Sequence, residues 1–245
     1  MDSLPLLIEE TNLSDAWCKV LECIVKNPGK EITPLLLTLT NFEESLKTRE
    51  VLNLHLRSNK MGSVQTVSET IFPESLYQFC GRDRFVLYEG YLKNLHRLKK
   101  IDLSNGHGTY FERLIAYDGN NKKINQLELI ISSLKNNNIK RRSKLQASIF
   151  DPDKDHTNGA FQGFPCLQHV TFYKTKKGGL VLNSFYAIQY LYRRAYGNWL
   201  GLINLGKFIA NESGLKFERL NCYVGVEHLD KLKKAQAQKL LKMIK

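Results

Sequence analysis

The spacing of apolar and polar positions changes several times along the chain, and each change marks an element. Residues 13–26 place apolar side chains at helical intervals, open near Ser14 and close at Asn27-Pro28-Gly29, which predicts a helix. Leu35 to Thr40 reads as a strand, and Phe42-Glu43-Glu44-Ser45-Leu46 after Asn41 reads as a capped turn or short helix. Phe72–Phe79 and Val86–Leu98 are expected to be helical, the second carrying Leu87, Tyr91, Leu95 and Leu98 on one apolar stripe. A Gly-rich turn over Asn105-Gly106-His107-Gly108-Thr109-Tyr110 precedes another helical pattern from Asn125 to Leu134.

The second half alternates with a shorter period. Leu145 to Phe150 is expected as a strand ending at Asp151-Pro152, followed by an antiparallel hairpin of Leu167–Tyr173 and Leu180–Tyr190 around Thr175-Lys176-Lys177-Gly178-Gly179. Asn198 to Ala210 repeats at helical spacing with Leu202, Leu205 and Ile209 inward, and Leu220–Val226 supplies a last strand. Strands of this kind with helices outside them, and no glycine fingerprint of a doubly wound sheet, predict an α+β fold in a single domain over residues 1–245.

Composition narrows the function classes. The 245 residues are 42% hydrophobic and 24% charged, an ordinary globular balance. Five cysteines form no CxxC pair, so neither a disulfide scaffold nor a structural zinc site is expected, and no metal site is assigned. The N-terminus lacks a signal-peptide pattern, and no apolar run is long enough to cross a bilayer, which predicts a cytoplasmic protein without a membrane partner. A formal charge of +12 favours anionic partners, nucleotides or nucleic acid among them. Part of that excess is the tail of residues 231–245, whose six lysines face Leu232, Leu240, Leu241 and Ile244 on a basic C-terminal helix.

The chemistry centres on Gly163-Phe164-Pro165-Cys166-Leu167-Gln168-His169, which sets a cysteine after a proline at the head of a strand. A thiolate is a strong nucleophile and a good leaving group when its pKa is low. By itself, a cysteine in such a run reads as core packing.

With Asn198-Trp199-Leu200-Gly201-Leu202 and Gly225-Val226-Glu227-His228 in the same order, the chain resembles the thymidylate synthase and pyrimidine hydroxymethylase superfamily, as a short divergent member, over residues 60–235. Residues 1–60 form a divergent N-terminal portion. The resemblance implies a thymidylate-synthase-like fold with a mixed, largely antiparallel sheet flanked by helices. It also implies a homodimer and one-carbon transfer, methylating or hydroxymethylating, to C5 of a pyrimidine nucleotide from 5,10-methylenetetrahydrofolate. Cys166 then corresponds to the nucleophile that adds to C6, and Asn198 to the amide that reads the base. Uracil and cytosine both stay open, because an amide can flip.

Other roles follow from the same resemblance. His228 matches a histidine over the nucleotide, and Asp230 stands where a sugar-binding tyrosine is usual. Arg141 and Arg142, within the run Lys140 to Lys144, match the arginine pair that reaches across a homodimer to the partner's phosphate, while the spacing to Phe150-Asp151-Pro152 also allows Lys144 to occupy one of the two positions. Glu74, with Glu69 as rival, matches the glutamate that organises proton transfer, and Tyr110 a pocket tyrosine.

The pattern breaks at two places. Ala187-Ile188 replaces an Arg-Ser pair that binds phosphate, and Tyr190 lies close to a usual aspartate, so Gln189, Arg193 and Arg194 become the candidate replacements. Family members also continue well past the histidine to a segment that closes over folate, whereas Lys245 follows soon after His228. The alternatives are a cytidylate or polynucleotide-base hydroxymethylase, and a nucleotide- or nucleic-acid-binding protein without a covalent step.

Overall fold

A computed structural model describes residues 5–101, 106–119, 122–136, 141–159 and 164–245. Asn105, where the expected Gly-rich turn begins, lies outside the described residues, as do Lys140 and Gly163. The chain runs through β1 (Leu6–Asn12), α1 (Leu13–Lys26), β2 (Glu31–Ile32), β3 (Leu35–Glu43), α2 (Leu46–Ser58), α3 (Val64–Glu69), α4 (Glu74–Phe79) and α5 (Arg84–Ile101). It continues with α6 (Tyr110–Ile115), a hairpin of β4 (Tyr117–Gly119) and β5 (Lys122–Ile124), α7 (Gln126–Lys135), β6 (Gln146–Ser148) and α8 (Pro152–Asp155). The last elements are β7 (Leu167–Lys174), β8 (Gly179–Tyr190), α9 (Tyr196–Glu212), β9 (Lys216–His228) and α10 (Lys234–Ile244).

Seven strands form one sheet in the order β1-β3-β9-β8-β7-β6, with β2 added to β9. The β1–β3 and β8–β9 pairs are parallel, and the other pairs are antiparallel. The architecture is therefore α+β with a mixed, largely antiparallel sheet. The parallel β8–β9 pair exists because α9 carries the chain back over the sheet between them, as a parallel connection requires.

The core lies between the sheet and its helices. Trp17 of α1 and Trp199 of α9 are fully buried there, with Leu35, Leu37, Leu182, Tyr186, Leu220 and Val224 from the sheet. On the opposite face Leu36, Phe185 and Tyr223 are exposed, the last two rings stacked at 5.4 Å. Beside them a polar ladder crosses four strands: Thr38 Oγ1 donates to Asn221 Oδ1 (3.1 Å), Asn221 Nδ2 to Asn183 Oδ1 (2.8 Å), and Asn183 Nδ2 to Thr171 Oγ1 (3.1 Å).

Several elements depart from the periodicity reading. The first helix is capped by Asn12, whose side chain accepts from the Ser14 and Asp15 amides. Strand β3 runs on to Glu43, through the residues expected to begin a turn, and Ser45 caps α2 instead by accepting from Thr48 N. Asn41 and Phe42 take positive φ at this bend, and the Phe42 ring stacks on Phe217 at 4.4 Å, which offsets a conformation that bulky residues avoid. Strand β1 was not expected, because only Ile8 of its seven residues is buried.

A second departure matters more for function. Strand β8 buries Ser184 and Tyr186, then Gln189, so its inward positions slip by one residue. Strand β9 makes the matching slip between Val224 and Glu227. Ala187 and Gly225 sit at the slip, and a Cβ on Gly225 would lie 2.7 Å from the Ala187 carbonyl oxygen. Past this point Gln189 and Glu227 face the helices.

Candidate active site

Cys166 directly precedes β7, and its carbonyl accepts a hydrogen bond from Ala187 N of β8 (3.1 Å), which ties the residue to the sheet before the strand begins. Phe164, two residues earlier, packs its ring against Tyr110 at 5.2 Å. Tyr110 is the first residue of α6, where Thr109 and Glu112 form a reciprocal capping box that fixes the helix start. Arg113, one turn on, is buried in an ion pair with Asp155 (2.8 Å) and lies 5.4 Å over the Phe164 ring. A buried, paired guanidinium thus links α6, α8 and the approach to the cysteine.

The other wall is the junction of β8 and α9. Leu191–Ala195 forms a π-helical turn, a local widening found often at functional sites. Gly197 and Gly201 then let α9 lie directly on α3. A Cβ at Gly197 would meet Val67 Cβ at 2.6 Å and Val64 O at 2.7 Å, and one at Gly201 would meet Ser68 O at 2.7 Å. The glycines flanking Asn198 therefore serve close helix contact, and that contact places the amide.

These elements enclose a cavity of about 190 Å³. Cys166, Tyr110, Asn198, Gln189 and Arg194 all line it, so the structure brings five of the sequence-predicted site residues to one space. Arg193, Tyr190, Thr70, Thr109, Gly108 and Phe164 complete the wall. Cys166 is half-buried, whereas Asn198 and Gln189 are buried. Burial pushes the Cys166 thiol above its ordinary value of 9.0, against the opposing pull of the Arg194 and Arg193 guanidinium groups. Burial raises the Tyr110 hydroxyl as well, so it is a neutral donor near neutral pH.

The remaining predicted residues lie elsewhere. His228 ends β9, where its Nδ1 accepts from Asp230 N (2.8 Å) and its ring meets Tyr190 edge-on at 6.1 Å; it touches a wall residue and does not itself line the cavity. Asp230 is buried in an ion pair with Arg193, Oδ2 to Nε at 2.7 Å, outside the wall. Arg141 and Arg142 are exposed near the sheet edge, Arg142 lying 5.0 Å over the Tyr173 ring, and neither lines this chain's cavity. Glu74 opens α4 and accepts from Gln78 Nε2 (2.8 Å) within its own helix, and it lines neither this cavity nor its neighbour.

Glu69, the rival glutamate, is better placed. It ends α3, accepts from Ser75 Oγ (2.7 Å) and Gln65 Nε2 (2.5 Å), and lines a second cavity of about 700 Å³. Thr70 and Thr109 belong to both walls, so the two cavities adjoin. The signal was present in sequence as Ser63 followed by Val64 and Val67, a cap before helical spacing, since Ser63 Oγ accepts from Thr66 N.

No family model matches the chain, and no curated protein matches it in sequence. Its fold does match a solved structure. The thermostable thymidylate synthase A from Bacillus subtilis superposes with a TM-score of 0.60, over 95% of this chain and 84% of that one, at 16% sequence identity. The protein thus has a thymidylate-synthase-like fold.

Proposed function

We propose that this protein is a one-carbon transferase acting on C5 of a uracil-type pyrimidine nucleotide, with Cys166 as covalent nucleophile. The observation that carries the reading is the meeting of Cys166, Tyr110, Asn198 and Arg194 in one cavity. A fold shared with a thymidylate synthase supports it.

In this reading the Cys166 thiolate adds to C6 and C5 becomes the carbon nucleophile. Asn198 pairs with the base edge through one donor and one acceptor. Tyr110, neutral through burial, donates a hydrogen bond toward the negative charge that develops on the C4 carbonyl oxygen of the base. Arg194 takes the phosphate role that Ala187-Ile188 lacks. After transfer, C5 loses its proton and the sulfur leaves C6, which restores the aromatic ring.

The second cavity fits a folate. Its size suits a flat bicyclic ring with a benzoyl group, Leu76, Tyr91 and Leu98 supply apolar contact, and the Glu69 carboxylate faces the same space. When bound, methylenetetrahydrofolate supplies the one-carbon unit and, for a methyl product, the hydride as well. Glu69 would hold the polar edge of the ring and relay protons to the adjoining cavity.

The exposed sheet face with Phe185, Tyr223 and the Thr38–Asn221–Asn183–Thr171 ladder is the surface on which a homodimer would close. Arg141 and Arg142, outside their own chain's cavity, are then available to a partner's substrate phosphate.

Tritium release from C5-labelled deoxyuridylate with methylenetetrahydrofolate tests the reading, together with native mass spectrometry of the mixture. Expected are a dimer mass, an adduct at Cys166 and release that Cys166→Ser abolishes. Release that continues in the serine variant would remove the covalent role. Release from single-stranded DNA but not from the free nucleotide would move the substrate to a polynucleotide.

A further inference from the structure

Gln189 and Glu227 are register partners in the parallel β8–β9 ladder, and the matched slip in both strands turns both side chains toward the helices. Gln189 is 1% exposed and Glu227 0%. Both polar atoms of the amide and both carboxyl oxygens lack a hydrogen-bond partner among the described residues. Native interiors pair such groups, because an unsatisfied buried donor or acceptor forfeits its hydration with no return. Parallel strands stand about 5 Å apart, so in-register side chains reach one another by side-chain rotation alone. Gln189 also lines the cavity beside Cys166 and Asn198, so a rotation of its buried amide is enough to bring one of its polar atoms to the ligand space.

We propose that Gln189 contacts the edge of the bound base and that Glu227 is its positioning residue, presenting an amide N–H to the cavity so that the site prefers a ring carbonyl there over an exocyclic amine. This rests on the reading of the cavity as a pyrimidine nucleotide site. It deepens that reading because Asn198, whose amide can face either way, does not choose between uracil and cytosine.

The chemistry of the pair sets the direction. Burial raises the Glu227 carboxyl well above its ordinary value, which favours the protonated form and its O–H donor. Once the two side chains rotate toward each other, that O–H donates to Gln189 Oε1, and the Gln189 amide then turns an N–H outward. Reversing the amide would aim its oxygen at the ligand and leave the carboxyl O–H without that acceptor. A glutamine at position 227 has no such bias, since it offers a donor or an acceptor by flipping.

Two measurements test the proposal. In the ligand-free protein, the Gln189 side-chain amide is assigned by loss of its NMR signal in Gln189→Leu, and its proton exchange is followed. Exchange slowed in the wild type and released in Glu227→Leu is expected; equal exchange in both overturns the positioning role, whatever the substrate. Second, binding of deoxyuridylate and deoxycytidylate is titrated in the wild type, Glu227→Gln and Gln189→Leu. The preference for deoxyuridylate is expected to fall by about tenfold or more in both variants, with circular dichroism unchanged. An unchanged preference overturns the specificity role. Failure of both nucleotides to bind the wild type would defeat the nucleotide reading and the specificity role with it, while the exchange result still decides whether the pair exists.

Discussion

Asp230 Oδ2 lies 2.7 Å from Arg193 Nε, so one of the two adjacent cations in the cavity wall is already neutralised. Arg194, its neighbour, has no carboxylate partner among the described residues and remains the net positive charge beside Cys166. The sequence presents the two arginines as equivalents. The fold assigns them different work, Arg193 to the Tyr190 ring (4.5 Å) and Asp230, and Arg194 to the ligand space.

Arg194→Gln is therefore expected to weaken the thiolate. The Cys166 thiol already titrates above 9.0 because it is buried, so its thiolate fraction near neutral pH is small and rises about tenfold per pH unit until the native value is reached. Removing the cation moves that value further up. Site-resolved alkylation by iodoacetamide, read by mass spectrometry at a fixed pH near 7.5, should slow by about three- to tenfold in the variant. An unchanged rate would show that Arg194 exerts no field on the sulfur.

Gly197→Ala should destabilise the protein although it improves helix propensity. Its Cβ would press on Val67 and on the Val64 carbonyl at 2.6–2.7 Å, and overpacking of this kind costs about 1–3 kcal/mol against roughly 1 kcal/mol gained from propensity. Gly90→Ala in α5 meets nothing within 4 Å and should instead stabilise slightly. Thermal melts of the two variants should shift in opposite directions. If both rise, α9 is not held against α3 by these glycines.

Glu227 should impose a pH slope on stability. Its native pKa is raised well above the ordinary 4.5, so the native state holds a proton that the unfolded chain has released. The stabilising contribution is complete below pH 4.5 and is lost as pH rises toward the native value, at about 1.4 kcal/mol per pH unit. Glu227→Gln removes the titration. Its melting temperature should match the wild type in acid and exceed it increasingly as the pH rises above about 5; parallel curves would mean that Glu227 is already ionised in the native state.

Much of the scaffold was legible because periodicity reports one-sided burial. The stripe on α5 and the β7–β8 hairpin were read from local spacing, and both are present. Elements whose place depends on distant partners were not. Strand β1 hides a single residue, and α3 is only six residues long and gains its role by lying under Gly197 and Gly201. Glu74 and Glu69 illustrate the same limit within the site: both open or close a short helix, and only the packing of α3 against α9 decides which carboxylate lines a cavity that shares wall residues with the cysteine's.

By itself the sequence determined which chemical groups were available: a thiol after proline, amides at 189 and 198, paired arginines, and the alternating strands that carry them. Tertiary structure alone decided which of those groups meet. The slip shared by β8 and β9 turned Gln189 inward beside Glu227, and the ion pair with Asp230 separated the roles of Arg193 and Arg194. The reason is physical: local spacing reports burial along one element, whereas contact and burial between strands far apart in sequence are properties of the assembled fold.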